Sequence, residues 1–277
     1  PTSFRLKNSA SRTAQRVAER RAAHQLLDRP LVFDDPLAVR IVGPGAAERL
    51  TRQRSPIDPY FRAAFAARSR FAEDCLRDAV ESRGIDRYVI LGAGLDTFAY
   101  RNPFPDLRVF EVDHPATQQA KRERLAQAGI EIPASVVFVP IDFASTRLDE
   151  VLAPDRPTFF SWLGVVPYLE LPAIRATFRF VASHPKGSEL VFDYGSSPEA
   201  LTFVGKMVFR ALANRVADAG EPFKTFFDPD ELERLLRDDG FSIVEKFGPP
   251  ELNRRYFEGR KDKLRIGEMM HMIRCVV

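Results

Sequence analysis

Cysteine is scarce in this chain: Cys75 and Cys275 are the only two among 277 residues, and they form no CxxC pair and no zinc-like spacing. A secreted scaffold held together by disulfides would be expected to carry more cysteines. No apolar run approaches the roughly 20 residues needed to cross a bilayer. Residues 1–12 are polar and basic and lack the apolar stretch of a secretory signal. These absences predict a cytoplasmic protein with no metal site and no membrane partner.

A large excess of one charge is also missing. Lysine and arginine together number 41 against 38 aspartates and glutamates, which leaves a formal net charge of +3. Nucleic-acid binders usually concentrate a larger basic excess on one face, so we expect no nucleic-acid partner. The 45% share of hydrophobic residues is ordinary for a globular protein and is sufficient to build one large domain.

Helical patterns dominate the first part of the chain. A helix capped by Ser11 is predicted to run through Leu26, and a longer helix is predicted from Asp58 to Arg83, ended by Gly84. The longer helix has apolar side chains at helical spacing, namely Phe61, Phe65, Phe71, Leu76 and Val80.

From Arg87 onward, short apolar runs alternate with helical patterns. The predicted strands are Arg87–Leu91, Arg108–Val112, Val136–Ile141, Thr158–Val166, Glu189–Tyr194, Ser242–Phe247 and Glu268–Val277. The predicted helices between them are Pro115–Ala128, Pro172–Ser183, Pro198–Ala219 and Asp230–Asp239. Because the strand interiors are apolar on both faces, they indicate a parallel sheet covered by helices.

These patterns predict a single α/β domain with a doubly wound, mostly parallel, seven-stranded sheet whose last strands pair antiparallel at one end. We expect an N-terminal helical cap over residues 1–85 and a ligand-binding core over residues 86–195. A cap insertion is expected over residues 196–230, followed by a C-terminal helix and strands over residues 231–277. In such folds the ligand lies at the carboxyl ends of the strands.

A glycine turn and an aspartate mark the predicted binding site. The strand that ends at Leu91 runs directly into Gly92-Ala93-Gly94, where the missing Cβ atoms would let a ligand approach the backbone closely. Asp113 ends the next strand, nineteen residues after Gly94, where its carboxylate can accept hydrogen bonds from both hydroxyls of a ribose. Together these residues predict a cofactor that carries adenosine, with His114 close to its ribose.

The residues after the glycine turn favour S-adenosylmethionine (SAM) over a dinucleotide. Dinucleotide-binding turns need a third glycine, and Thr97 occupies that position here. The carboxylate of Asp96 would repel a diphosphate but not the zwitterionic methionine end or the sulfonium of SAM. An NAD(P)-dependent oxidoreductase stays open as an alternative. Asp142 and Phe143 follow the third strand, where the carboxylate and the next backbone N–H could address adenine, although a solvent-facing aspartate fits equally well.

Several motifs together resemble the leucine carboxyl methyltransferase family, and in particular its bacterial branch of SAM-dependent O-methyltransferases. They are SRTA and VAERRA within Ser11–Ala22, ARSRFAED at Ala67–Asp74, LGAGLDT at Leu91–Thr97, FEVDHP at Phe110–Pro115, Asp142-Phe143, GVVPYL at Gly164–Leu169 and ELNRRYF at Glu251–Phe257. The resemblance implies a Rossmann-like class I methyltransferase fold. It also implies that Arg68 pairs with the methionine carboxylate, that Gly92 to Gly94 pass beneath the cofactor, that Asp113 holds the ribose, and that Asp142 and Phe143 address the adenine.

The sequence departs from the family pattern at Leu163, where the carboxyl methyltransferases carry a glutamate. This departure weakens the expectation that a protein C-terminal carboxylate is the acceptor, and it leaves open a SAM-binding protein without catalytic activity. We expect O-methylation of a carboxylate or a hydroxyl on a small or medium-sized acceptor molecule.

The sequence identifies no catalytic residue and no oligomeric state. A carboxylate acceptor is already ionised near neutral pH and needs no base, whereas an alcohol would need one. Histidines and strand-end tyrosines are the candidates for that base, although none has a recognisable catalytic spacing; they are His24, His114, His184, His271, Tyr168 and Tyr194.

Overall fold

The computed structural model describes residues 12–52, 58–142, 147–218 and 222–277. Within them the strands are β1 (Arg87–Leu91), β2 (Arg108–Asp113), β3 (Val136–Pro140), β4 (Phe159–Trp162), β5 (Glu189–Gly195), β6 (Ile243–Phe247) and β7 (Met270–Val276). They form one seven-stranded sheet in the order β3-β2-β1-β4-β5-β7-β6. Strands β1 to β5 are parallel to one another, and β7 is antiparallel to both β5 and β6. The predicted fold class is confirmed.

Helices cover both faces of this sheet. They are α1 (Arg12–Leu27), α2 (Ala38–Val42), α3 (Ala46–Arg52), α4 (Asp58–Arg83), α5 (Pro115–Gln127), α6 (Leu171–Ala182), α7 (Phe203–Asp218), α8 (Pro229–Asp238) and α9 (Pro249–Phe257). No helix in the described part of the chain combines the length and the apolar character needed to cross a membrane.

The strands feed two hydrophobic cores because successive side chains point to opposite faces. Tyr88 and Ile90 of β1 pack on the face covered by α4, where Phe71 is fully buried. Val89 and Leu91 pack on the opposite face, which α6 and α8 cover. Both faces of β1 are therefore dry, which accounts for its apolar sequence from Tyr88 to Leu91.

Two predicted elements have bounds that differ from the structure by more than two residues. The apolar run predicted as a strand to Val166 leaves the sheet at Trp162, because Gly164 takes a left-handed φ of 71° and turns the chain. The helix predicted from Pro198 is a short 3₁₀ turn at Pro198–Ala200, after which α7 begins at Phe203. The predicted cap at Ser11 and the predicted helix end at Ala219 lie outside the described residues.

Helix α9 was not predicted from the sequence as a helix. It begins after Gly248 with Pro249 and Pro250, and proline suits the first turn of a helix because no N–H is needed there. The carboxylate of Glu251 accepts a hydrogen bond from the Gly248 N–H at 3.0 Å, which is the one bond of a capping box that a glycine at the N-cap allows.

The sheet topology fixes where the site lies. Because β1 to β5 run parallel, their carboxyl ends meet along one edge in the spatial order β3, β2, β1, β4, β5. The residues at that edge are Asp142 just beyond β3, Asp113 ending β2, the glycine turn after β1, Gly164 beyond β4 and Asp193 near the end of β5.

Candidate cofactor and acceptor site

The backbone conformation of the turn after β1 and its packing against other protein side chains both require glycine. Gly92 and Gly94 have left-handed φ angles of 69° and 47°. A Cβ atom on Gly92 would lie 2.5 Å from Cγ2 of Val165, and one on Gly94 would lie 3.2 Å from the Cβ of Ala14. The direction in which a Cβ atom would point is therefore occupied by protein side chains at both glycines. The approach of a ligand to the backbone of this turn stays a prediction. Ala93, between the two glycines, donates its N–H to the carbonyl of Val112 at 3.1 Å.

Asp113 lies against this turn, as the sequence predicted. Its Oδ2 accepts a hydrogen bond from the N–H of Gly94 and its Oδ1 accepts one from the N–H of His114, both at 2.6 Å. Burial raises the pKa of Asp113, although these two bonds and the charge of Lys121 oppose the shift. A carboxylate has about four acceptor positions, so Asp113 can still accept from a pair of hydroxyls.

His114 and Asp142 flank this carboxylate along the sheet edge. His114 caps α5, where its Nδ1 accepts a hydrogen bond from the N–H of Ala116 at 3.2 Å. Asp142 lies two residues beyond the last residue of β3, the strand beside β2. Phe143, the second predicted adenine contact, lies outside the described residues.

Arg68 lies at the other end of the edge, where α4 meets β4 and β5. It is buried, with 6% of its surface exposed, and its Nη1 donates to Oδ2 of Asp193 at 3.1 Å. The other oxygen of Asp193 accepts from the N–H of Gly164 at 2.6 Å. The Nε of Arg68 is buried and has no hydrogen-bond partner among the described residues. A buried guanidinium N–H without a partner is costly, so this position suits an additional acceptor such as a carboxylate.

Asp193 was missed in the sequence. It is the only charged residue inside the run LVFDYG, and it ends up at the carboxyl edge of a buried parallel strand. Both of those features can be read from the sequence, and a buried charge almost always has a partner. Leu163, which the resemblance marked as a departure from the family pattern, is partly buried against the core that α4 covers. The carboxylate next to Gly164 is therefore supplied by Asp193.

The carboxylate of Asp96, which was expected to repel a diphosphate, is engaged by groups of the protein itself. Oδ2 of Asp96 lies 3.4 Å from Nη1 of Arg21, and Oδ1 accepts from the N–H of Phe98 at 2.8 Å. Burial opposes ionisation of Asp96, but Arg21, Lys121 and Arg101 together hold its pKa below the usual value. Since its charge is balanced within the protein, Asp96 does not by itself exclude a diphosphate.

A cavity of about 850 Å³ opens beside Arg68, Gly164 and Asp193, which form part of its wall. This volume is in the range of pockets that hold small organic ligands. Aromatic side chains from α4, α7 and the segment before α8 make up much of the remaining wall; they are Tyr60, Phe61, Phe65, Phe209, Phe223 and Phe226. The cavity is therefore largely apolar, with its charged groups at the strand edge and the rim.

The aromatic residues of the predicted cap insertion divide into distinct roles. Phe209, Phe223 and Phe226 form a ring cluster with centroid separations of 5.3 to 6.1 Å and line the cavity. Phe227 is buried in the core, and Phe203 is 78% exposed at the start of α7.

Two of the four histidines have clear structural roles. His24 is buried, and its ring nitrogens meet the carboxylate of Asp28 at 2.9 Å and the N–H of Val32 at 3.1 Å. The Nδ1 of His184 lies 3.0 Å from the carbonyl of Phe180, and the ring is buried at the end of α6. These two side chains are satisfied within the fold and do not reach the cavity.

His271 differs because it meets a residue of the cavity wall. Its Nε2 lies 2.5 Å from Oγ of Ser196, and Ser196 lines the cavity. These two residues are 75 positions apart in the chain, so no local motif joins them. Burial raises the pKa of Tyr194, so this tyrosine is protonated at neutral pH and is unsuited to act as a base. Tyr168 also lines the cavity, with its ring 5.3 Å from that of Phe223.

Known proteins share sequence with this chain over most of its length. The family model of the leucine carboxyl methyltransferases matches residues 14–182. The "Putative S-adenosyl-L-methionine-dependent methyltransferase YktD" of Bacillus subtilis (strain 168) is 34% identical, over 98% of this chain and 99% of that protein. Rv0830 of Mycobacterium tuberculosis (strain H37Rv), which is described in the same words, is 33% identical over 78% of this chain and 75% of its own length.

A solved structure shows the same fold. The DUF574 family protein from Streptomyces avermitilis superposes with a TM-score of 0.57 at 15% identity, over 98% of this chain and 99% of that one. The family match covers more than half of the chain, and the relative from Bacillus subtilis spans nearly all of it. The predicted family and the predicted cofactor are both confirmed. This chain belongs to the leucine carboxyl methyltransferase family, and it is a SAM-dependent methyltransferase.

Proposed function

We propose that the protein methylates an oxygen atom of a small or medium-sized, largely apolar acceptor held in the 850 Å³ cavity. One observation carries this proposal. Arg68, Gly164 and Asp193 lie at the sheet edge where the carboxyl ends of the strands meet, and they also form part of the cavity wall. SAM supplies a methyl group on a positively charged sulfur, which an oxygen nucleophile displaces in line.

The side chains along the edge fit SAM in one orientation. Asp142 would face the adenine and the carboxylate of Asp113 would accept from the ribose hydroxyls, while the glycine turn would carry the methionine portion towards β4. At the far end, the unpartnered Nε of Arg68 would donate to the methionine carboxylate. His114, fixed as the cap of α5, would border the ribose.

In this orientation the methyl group would face the cavity. The protein's contribution to the rate would be to hold the acceptor oxygen, the methyl carbon and the sulfur collinear, and orientation of this kind contributes up to about 7–11 kcal/mol in model reactions. The aromatic wall formed by Phe209, Phe223 and Phe226 would keep water out and bind the apolar body of the acceptor.

Calorimetric titration with SAM, S-adenosylhomocysteine and NADH tests the cofactor part of this proposal. We expect SAM and S-adenosylhomocysteine to bind and NADH not to bind, and we expect Asp113→Ala to lose affinity while its circular dichroism spectrum is unchanged. Binding of NADH instead of SAM would support the oxidoreductase alternative.

Release of S-adenosylhomocysteine tests the transfer itself. The enzyme would be incubated with SAM and a set of apolar alcohols, phenols and carboxylic acids, and the methylated product would be identified by mass spectrometry. We expect product methylated on oxygen. Tight SAM binding with no turnover across the set would favour the alternative of a binding protein without catalytic activity.

A further inference from the structure

We infer that the accepting group is a hydroxyl, and that Ser196 and His271 relay its proton out of the cavity. This inference rests on the proposed O-methyltransferase function and deepens it by naming the acceptor class. Ser196 would contact the acceptor oxygen directly, and His271 would act through Ser196.

Ser196 is held in place by its backbone. It follows the last residue of β5, and its N–H donates to the carbonyl of Met269 at 3.2 Å. On its other side it forms an isolated parallel bridge with Phe227. With 9% of its surface exposed, Ser196 presents its side chain where the cavity wall meets β7, and its Oγ lies 2.5 Å from Nε2 of His271.

His271 is arranged to accept a proton from this serine. It lies opposite Tyr194 in the β5–β7 pair, and the two rings pack with their centroids 5.1 Å apart. Burial lowers the pKa of His271, and the charge of Glu251 on α9 opposes that shift only in part. The imidazole is therefore neutral near pH 7, which leaves Nε2 able to accept the hydroxyl proton of Ser196.

Glu251 provides the charge that a protonated His271 would need. Its carboxylate accepts from the N–H of Gly248, and Gly248 packs against the imidazole so that a Cβ there would lie 3.5 Å from Nδ1 of His271. The described groups that face the ring are therefore Tyr194 from β5, Ser196 and Glu251. None of these three carries a positive charge that would disfavour the imidazolium.

A carboxylate acceptor fits the same cavity less well. Among the described lining residues Arg68 is the one buried cation, and it is already paired with Asp193. Arg20, at the rim, is paired with Asp58 at 2.9 Å, and Arg265 is exposed. Arg16 also lines the cavity and, like Arg265, is exposed to solvent. At the strand edge, a carboxylate acceptor would compete with the methionine carboxylate for the Nε of Arg68, whereas a hydroxyl would not.

The proposed step balances. The acceptor oxygen forms its bond to the methyl carbon as the carbon–sulfur bond breaks, and the electron pair of that bond stays on sulfur. The acceptor's proton moves to Oγ of Ser196 while the serine's own proton moves to Nε2 of His271. The resulting imidazolium, next to Glu251, returns its proton to solvent after the products leave.

The test compares two probes of matched size, 2-naphthol and 2-naphthoic acid, by release of S-adenosylhomocysteine. We expect 2-naphthol to be methylated at least about tenfold faster, as it is the probe whose proton the relay removes. For His271→Gln we expect kcat on 2-naphthol to fall about 100-fold, in the range that a general base contributes, with KM within about twofold. The rise of kcat with pH below pH 8 should disappear in that variant.

Ser196→Ala should match His271→Gln, and Ser196→Thr should restore most of the activity because it keeps the hydroxyl. His184→Gln is the matched control for loss of a buried histidine, and its kcat should not change. Melting temperatures and SAM affinities are measured for every variant. A measurement on the resting enzyme is added: long-range proton–nitrogen spectra of ¹⁵N-histidine-labelled protein should show Nε2 of His271 unprotonated at pH 7.

Methylation of 2-naphthoic acid in preference to 2-naphthol would overturn the relay while leaving the proposed O-methyltransferase function intact. Turnover of neither probe would also contradict it, and calorimetry with SAM would then decide the proposed function separately. A protonated Nε2 on His271 at pH 7, or an unchanged pH profile in His271→Gln, would equally overturn the relay.

Discussion

The carboxylate of Asp113 allows the cofactor placement to be tested quantitatively through the variant Asp113→Asn. This substitution keeps the shape of the side chain and removes its charge. Hydrogen bonds to a charged group are worth about 1.5–3 kcal/mol each. The amide retains one oxygen, so we expect one charge-assisted bond to the ribose to be lost. Allowing for weakening of the other bond, SAM binding should lose about 2–3 kcal/mol, or about 30- to 150-fold in Kd.

The pH dependence gives a second signature from the same residue. Burial raises the pKa of Asp113 in the free protein, and a protonated carboxyl cannot accept from both ribose hydroxyls. SAM affinity should therefore weaken as pH falls through this raised pKa. The folding stability of the free protein depends on pH in the opposite direction. Because the pKa of Asp113 is higher in the folded state, its contribution to stability is fully present below the unfolded-state pKa and is lost as pH rises through the folded-state pKa.

Isothermal titration calorimetry from pH 5 to pH 8 measures the SAM affinity of each variant and how that affinity changes with pH. The wild type should lose affinity at the acid end, and Asp113→Asn should be weaker throughout and flatter with pH. Asp106→Asn, at an exposed position just before β2, is the matched control and should behave as the wild type does. In the Asp113→Asn variant the amide NH₂ would face a backbone N–H of the turn, which would destabilise the fold. The unfolding of each variant is therefore measured in parallel. A folded Asp113→Asn variant with SAM affinity within twofold of the wild type would refute the ribose assignment.

Three further predictions follow from the same contacts. Gly92→Ala should destabilise the protein by about 2–5 kcal/mol in denaturant unfolding, since it adds left-handed strain and an overlap 2.5 Å from Val165; Val165→Ala should recover only the overlap part. Arg68→Lys keeps the charge but loses the planar fork, so calorimetry should show S-adenosylhomocysteine bound at least about tenfold more weakly while 5′-methylthioadenosine, which lacks the carboxylate, binds unchanged. Phe209→Ala should raise the KM for the acceptor and leave the Kd for SAM unchanged, and an equal change in both constants would contradict its place in the acceptor wall.

The strands and the sheet edge were predictable because their signals are local. The strand Arg87–Leu91 is buried on both faces and its sequence is apolar from Tyr88 onward, and its bounds in the structure are those predicted. Asp113 follows from the alternation of strands and helices and from its distance to the glycine turn. The predicted strand to Val166 failed because one left-handed residue, Gly164, outweighed the β-propensity of its neighbours.

The unpredicted parts depend on contacts between distant positions. The pairing of Arg21 with Asp96 and the pairing of Ser196 with His271 each span 75 residues, and no local pattern marks either of them. The environment of the glycine turn was unpredictable for a different reason. The sequence shows that two residues lack a Cβ atom, but it does not show which atoms lie where those Cβ atoms would be. At Gly92 the space is filled by Val165.

The most direct test of the central claim is a crystal structure of the protein with S-adenosylhomocysteine. We expect both ribose hydroxyls within hydrogen-bond distance of the Asp113 carboxylate, the homocysteine carboxylate on Arg68, and the sulfur facing the cavity between α4 and α7. A ligand bound elsewhere, or one bound in this groove with its ribose away from Asp113, would contradict the account.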